Sequence, residues 1–225
     1  IDVLEEKPIV DKFIEKLDKK TFLKFENLNS SDSSFRKEMR KFYFDQRNKY
    51  LINNKKSIII DKMPLNIIYV AEIFRFFPKA KYILAIRNPY DCVLSCFMQN
   101  FLLNNAMSNF LNINDSAKMY NMVMSLWQIY TKKFPISFHT VKYEKLVSDF
   151  KNSVLNLLTF LDLPWSDEVS EFYKTSQKRG IIATPSYNQV SQPIYSKSIG
   201  RWKNYEDELS KAKSFLDKWK KHYGY

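Results

Sequence analysis

The residues best placed to do chemistry are an arginine and a serine in one short stretch, KYILAIRNPYDCVLSC, residues 81–96. An apolar run there ends on Arg87, a proline turn follows, and a helix-like segment carries Ser95. A guanidinium presents a planar fork of donors suited to bidentate contact with phosphate. Near a helix start, free backbone N–H groups and the helix dipole favour an anion, and a serine hydroxyl adds a donor. Pro89 stiffens the turn and Asp91 is expected to cap the helix. Two side chains closing on one phosphate is the functional reading of this spacing. An arginine ion-paired at a strand end, with the serine turned to solvent, is the alternative.

Placing such a pair requires a scaffold. SIIID (57–61) reads as a buried strand, ended by KMP. IIYVAEIFRFF follows as a helix, with Asn66 as its cap and Ile67, Val70, Phe74 and Phe77 on one face, and Pro78 stops it. KYILAIR is a second apolar strand. Strand, helix and strand in this order form a βαβ unit with parallel strands and a right-handed crossover. Ligands of such sheets lie beyond the carboxyl ends of the strands, here Asp61-Lys62 and Arg87. The fold class expected is α/β, a central parallel sheet flanked by helices.

Elsewhere helices dominate. DKFIEKLDKK and SSFRKEMRKFYFDQRNKYLI make the opening third helical, with Ser33 or Ser34 as a cap. DSAKMYNMVMSLWQIYTKKF is a long helix expected to turn Met119, Met122, Val123, Leu126 and Tyr130 inward. ISFHTVKYEKL offers a strand ending near Tyr143, and KNSVLNLLTFLDLPW a further helix. Residues 176–203 read as extended polar loop, and a last helix is capped by Asn204. No internal repeat or boundary divides the chain, so a single domain over 1–225 is expected.

Composition narrows the function classes. The chain has 225 residues, 45% hydrophobic and 16% aromatic, enough for a sizeable core, and a formal charge of +12. That excess favours anionic partners: nucleotides, nucleic acid, acidic polymers or an anionic membrane surface. No apolar run approaches the ~20 residues of a membrane span and no signal-peptide pattern opens the chain, so the cytoplasm is the expected compartment. Cys92 and Cys96 are the only cysteines, which excludes a disulfide framework. They are expected to be buried structural thiols, with no metal site. The only glycines are Gly180, Gly200 and Gly224, so neither G-x-G-x-x-G nor G-x-x-x-x-G-K-[ST] can be written in this sequence.

Four motifs occur in one order: DKMP (61–64), the Arg87-x₇-Ser95 pair, VKYEKL (141–146) and PSYNQVSQPIYSKSIGRWKNY (185–205). Together they resemble the sulfotransferases, in particular the branch that holds protein-tyrosine sulfotransferases and bacterial enzymes fused to tetratricopeptide repeats. The resemblance spans roughly 57–205. It implies a P-loop-NTPase-like fold and transfer of a sulfuryl group from 3′-phosphoadenylyl sulfate (PAPS) to a hydroxyl acceptor, a protein tyrosine, glycan or small molecule. The product nucleotide would be 3′-phosphoadenosine 5′-phosphate, with no metal and no nucleic-acid partner. By the same resemblance Arg87 and Ser95 hold the donor's 3′-phosphate and Tyr143 lies near the nucleotide. Lys62 reaches the bridging oxygen where charge develops, and Ser186 sits beside the phosphosulfate. Gly200 permits close backbone approach in a segment that closes over the 3′-phosphate, with Arg201 or Lys197 supplying charge and Trp202 either packing or touching ligand.

Two departures accompany it. The family's first strand and its glycine-bearing 5′-phosphosulfate turn normally precede all of these motifs and are not in the sequence, which begins at Ile1. The chain is therefore expected to be N-terminally truncated, lacking a strand inside the sheet, and weakly active or inactive as it stands. Where some relatives carry a histidine base, Pro64 stands. Glu5 or Glu6 lies near the place of the tyrosine-sulfating branch's glutamate, with an ordinary surface role as the alternative. Rival classes are an ATP-dependent kinase of related fold and a basic nucleic-acid-binding module.

Overall fold

A computed structural model describes residues 1–21, 33–51, 58–171 and 194–225. They form two compact units: Ile1–Ala80 with Leu126–Ser137, and Lys81–Ser125 with Phe138–Tyr225.

The first unit is built on a strand that the sequence reading did not anticipate. β1 (Asp2–Glu5) runs parallel to β2 (Ile59–Lys62), with Leu4 opposite Asp61 and Glu5 opposite Lys62. Four residues are too few to show a period, but Leu4 is only 2% exposed. Helices α1 (Ile9–Thr21) and α2 (Ser33–Asn48) complete this layer. Phe13, Leu17, Met39 and Phe76 make its core, rimmed by Phe35, Phe42, Tyr43 and Phe77. Phe13 meets the Phe76 ring edge-on, at 5.1 Å between centroids. Such an edge-to-face pair contributes about 0.5–1.5 kcal/mol beyond the area it buries.

Two local expectations change here. Pro64–Tyr69 winds as a 3₁₀ helix and α3 proper covers only Val70–Phe76, so Asn66 lies inside the 3₁₀ turns and caps nothing. With about three residues per turn through that segment, the α-helical phase starts at Val70. Val70 and Phe76 become the buried positions, while Ile67, Phe74 and Phe77 are half-buried. The strand pairing also differs from a simple βαβ neighbour pair. β2 is laddered to β1, and β3 (Lys81–Ile86) to β4 (Ser137–Lys142).

In the second unit, α4 (Pro89–Phe97) follows β3; α5 (Ile113–Lys133) belongs to this unit up to Ser125 and to the first unit from Leu126 on, and leads to β4. After them come α6 (Tyr143–Ser148), α7 (Phe150–Phe160) and α8 (Lys213–His222). The core joins Tyr90 and Val93 of α4 to Ala117 of α5 and to Leu209, Ala212 and Leu216. The inward stripe of α5 is Ala117, Met124, Trp127 and Tyr130, whereas Met122 is 67% exposed. The small Ser116 and Ala117 are also buried there, 1% and 0% exposed. Arg201–Tyr205 is a 3₁₀ helix that begins inside the expected loop and runs past its end, and α8 begins only at Lys213, so Asn204 is not its cap. Among the described residues no helix is long and apolar enough to cross a membrane.

Asp61 gives the first unit a measurable pH response. The Tyr43 hydroxyl donates to Asp61 Oδ2 (2.8 Å) and Asn66 Nδ2 reaches Oδ1 at 3.5 Å. Burial nevertheless raises the Asp61 carboxyl above the ordinary carboxylate range, those two hydrogen bonds opposing it. The folded chain then holds this proton more tightly than the unfolded chain. Stability present at low pH should be lost as pH climbs past the unfolded value of about 4 toward the raised folded one. Asp61→Asn should escape that loss, so its Tm relative to wild type should rise between about pH 4 and pH 7. Thermal melts across that range check this, and a Tm difference independent of pH would contradict it.

Candidate functional site

The start of α4 grips a distant turn. Asn88 is the cap: its Oδ1 accepts from the Tyr90 N–H at 3.0 Å, and its own N–H donates to Glu144 Oε1 at 2.8 Å. Asp91, expected as the cap, does something else. Its carboxylate is 2% exposed and accepts two backbone N–H bonds, from Gly200 to Oδ2 (2.7 Å) and from Trp202 to Oδ1 (2.8 Å). Bonds of an ionised acceptor are the strong class, roughly twice a neutral one. Gly200 has φ +72°, the left-handed region where glycine alone is unstrained. The Trp202 ring stacks on Tyr90 with centroids 4.8 Å apart, so packing is its role here, and Lys220 Nζ lies 4.8 Å from the Trp202 centroid.

Arg87 faces the same turn. Its Nη2 donates to the Ser198 carbonyl (2.9 Å), and its guanidinium lies over the Tyr143 ring at 5.5 Å. No carboxylate pairs with it among the described residues, and its Nε is buried without a hydrogen-bond partner. The alternative of an arginine neutralised by an ion pair is therefore not what this strand end holds. A half-buried guanidinium with an orphaned donor is a group that an anion would satisfy. Tyr143 opens α6, where its hydroxyl donates to the Tyr195 carbonyl at 2.7 Å. Burial, and then Tyr195, push this phenol above its ordinary value, with Arg87 pulling it down.

Ser95 is the seventh residue of the nine in α4, not a first-turn residue. The helix start belongs to Asn88, so the dipole contributes less at Ser95 than the sequence suggested. Ser95 lies four residues after Asp91, hence on the same helical face. Its hydroxyl has no hydrogen-bond partner among the described residues. Cys92 and Cys96 are free, half-buried and hydrogen-bonded to each other, which, with burial, raises the Cys96 thiol.

In the first unit, Lys62 ends β2. Its Nζ pairs with Glu6 Oε1 at 2.7 Å and Glu5 Oε1 at 3.4 Å. The ladder register puts Glu5 directly opposite Lys62. Glu6 reaches it from a left-handed backbone (φ +51°), while its N–H donates to the Lys62 carbonyl at 2.7 Å. A non-glycine residue held there costs about 1–3 kcal/mol, and such strain gathers at functional sites.

Of the expected site residues, Arg87, Tyr143 and Gly200 converge on residues 195–202. Lys197 and Arg201 lie on that turn, exposed, with no ion pair among the described residues. Lys62 is engaged with carboxylates in the first unit, and Ser186 lies outside the described residues. Among the described residues no cluster of three or more His, Cys, Asp or Glu is placed to hold a metal. Asp91 and Glu144 were missed as contributors. The signal for Asp91 was its position four residues before Ser95, on one face of the helix that follows Arg87.

A family model described as sulfotransferase family matches residues 5–167. An uncharacterized protein of Aquifex aeolicus (strain VF5) is 31% identical over 180 residues, 80% of this chain and 23% of that protein. This chain thus spans under a quarter of that relative's length. Among solved structures, the sulfotransferase domain from the curacin biosynthetic pathway superposes with a TM-score of 0.55 at 17% identity, over 80% of this chain and 68% of the other. At that identity the likeness establishes the fold, α/β with helices flanking parallel strands. With most of its length matched by the family model, the chain belongs to the sulfotransferase family.

Proposed function

We propose that this chain binds PAPS and takes part in moving its sulfuryl group to a hydroxyl acceptor. The observation that carries the reading is Arg87: a half-buried guanidinium, unpaired with any carboxylate among the described residues, with its Nε orphaned. The donor set fits a phosphate monoester. Arg87 keeps donors beyond the one given to Ser198, Ser95 has a hydroxyl to offer, and the Gly200 turn lets backbone come close.

In this reading Arg87 and Ser95 bind the 3′-phosphate. Tyr143 supports the guanidinium from below, and Gly200 with Lys197 or Arg201 closes over the phosphate. PAPS supplies a sulfuryl group already activated by its anhydride bond to phosphate. An acceptor hydroxyl forms the new oxygen–sulfur bond as the bond from sulfur to the 5′-phosphate oxygen breaks, and that oxygen leaves with the electron pair. Lys62 stabilises the charge that grows there, an interaction stronger in the transition state than in the ground state. Glu6, already 2.7 Å from Lys62, is the carboxylate proposed to take the acceptor's proton. Ser186 is assigned to the phosphosulfate by family resemblance alone.

Titration calorimetry with 3′-phosphoadenosine 5′-phosphate tests the binding half. Arg87→Ala should weaken binding by about tenfold to a hundredfold, the cost of one or two hydrogen bonds to a charged group. An unchanged affinity would remove Arg87 from the site. For the chemical half, the full-length protein is assayed for PAPS-dependent sulfation of a panel of phenols and alcohols. Lys62→Ala should lower kcat by about 10²–10³-fold while product-nucleotide affinity stays within about threefold. Equal loss of affinity and kcat would make Lys62 a binding residue instead.

A further inference from the structure

We infer that Asp91 is a positioning residue for donor binding: its buried carboxylate holds the Ser198–Trp202 turn on α4 and so fixes what faces Arg87. The inference rests on the donor-binding reading above and adds a residue that neither motif spacing nor resemblance selected for that role.

The geometry is specific. Asp91 is 2% exposed and has no ion-pair partner among the described residues. Taking a lone carboxylate out of water is costly unless hydrogen bonds compensate it. Here the compensation is two backbone N–H groups, Gly200 at 2.7 Å and Trp202 at 2.8 Å, one on each oxygen. These anchors flank Arg201, so its backbone is arched between two fixed points. The left-handed Gly200 sits at the first of them. Two residues before it, Ser198 presents its carbonyl to Arg87 at 2.9 Å. The turn therefore gives an acceptor to Arg87 and two donors to Asp91, which lies in the first turn of α4, four residues after Arg87. Releasing Asp91 would free the turn and with it the orientation of the guanidinium.

Positioning and plain electrostatics make opposite demands on a variant. A carboxylate near a bound phosphate repels it, so if only charge mattered, neutralising Asp91 would tighten the nucleotide. If Asp91 acts through the turn, neutralising it weakens binding. Asparagine has a single oxygen, so one of the two N–H groups would face the amide's own N–H donors.

Calorimetric titration of wild type and Asp91→Asn with 3′-phosphoadenosine 5′-phosphate and, separately, adenosine 5′-phosphate decides the matter. The expected result is about tenfold weaker binding of the bisphosphate, the loss of roughly one charge-assisted hydrogen bond, with adenosine 5′-phosphate unchanged. Bisphosphate affinity that is unaltered or tighter overturns the inference. A parallel loss for both nucleotides would mean general unfolding of the site and also overturns it. Gly200→Ala provides a second handle if Asp91→Asn does not fold. A Cβ there meets only Lys203 side-chain carbons, at 3.9 and 4.0 Å, so the substitution strains the φ of +72° without a clash. It should show the same selective loss, and full retention of the 3′ preference would count against the inference. If wild type itself fails to prefer the bisphosphate, the donor-binding reading falls instead, and the two failures remain distinct.

Discussion

One buried carboxylate holds together the part of this protein that could recognise a nucleotide. Asp91 joins the first turn of α4 to backbone more than a hundred residues downstream through two short N–H bonds. Neither partner lies in a sheet ladder, so the contact is held by side-chain chemistry and not by strand pairing. Around it the other contacts fall into line: Arg87 on the Ser198 carbonyl, Trp202 on the Tyr90 ring, Tyr143 on the Tyr195 carbonyl. Each is modest alone. Together they make a turn held at several points, the preorganisation that a phosphate-binding surface needs if binding is not to be weakened by ordering costs.

Two of the cations singled out by the sequence, Lys62 and Arg87, stand in contrasting environments. Lys62 is exposed and already satisfied by Glu5 and Glu6, an arrangement worth little to stability at the surface. A flexible ammonium with a nearby carboxylate suits transient work, stabilising charge that comes and goes. Arg87 is half-buried, rigid in its fork and without an anionic partner among the described residues. That suits standing recognition of an anion. The physical differences between lysine and arginine thus run parallel to the roles proposed for them.

Much of the scaffold was legible because it depends on local pattern. The strands expected from SIIID, KYILAIR and ISFHTVK are present at 59–62, 81–86 and 137–142, and α3 ends just before Pro78, whereas α7 ends at Phe160, closed by left-handed Asp162 (φ +57°) before Pro164 is reached. What stayed hidden depends on tertiary context. β1 has only four residues and exists because β2 offers it an edge. The 3₁₀ start at Pro64 displaced the phase of the following helix, and α5 buries Ala117, Met124 and Trp127 in place of Met122. Asp91 and Asn88 are both good cap residues three apart, and nothing local says which caps and which reaches across to Gly200. The Gly200 turn lies beyond the residues that the family model matches, so its part in the site rests on geometry.

The claim everything else leans on is that Arg87 and the turn it faces recognise a ribose 3′-phosphate. Phosphorus-31 NMR of 3′-phosphoadenosine 5′-phosphate titrated with the wild-type chain reads this directly, because the two phosphates give separate resonances. The 3′ resonance should shift and broaden on binding. Movement of the 5′ resonance alone, or of neither, would contradict the claim.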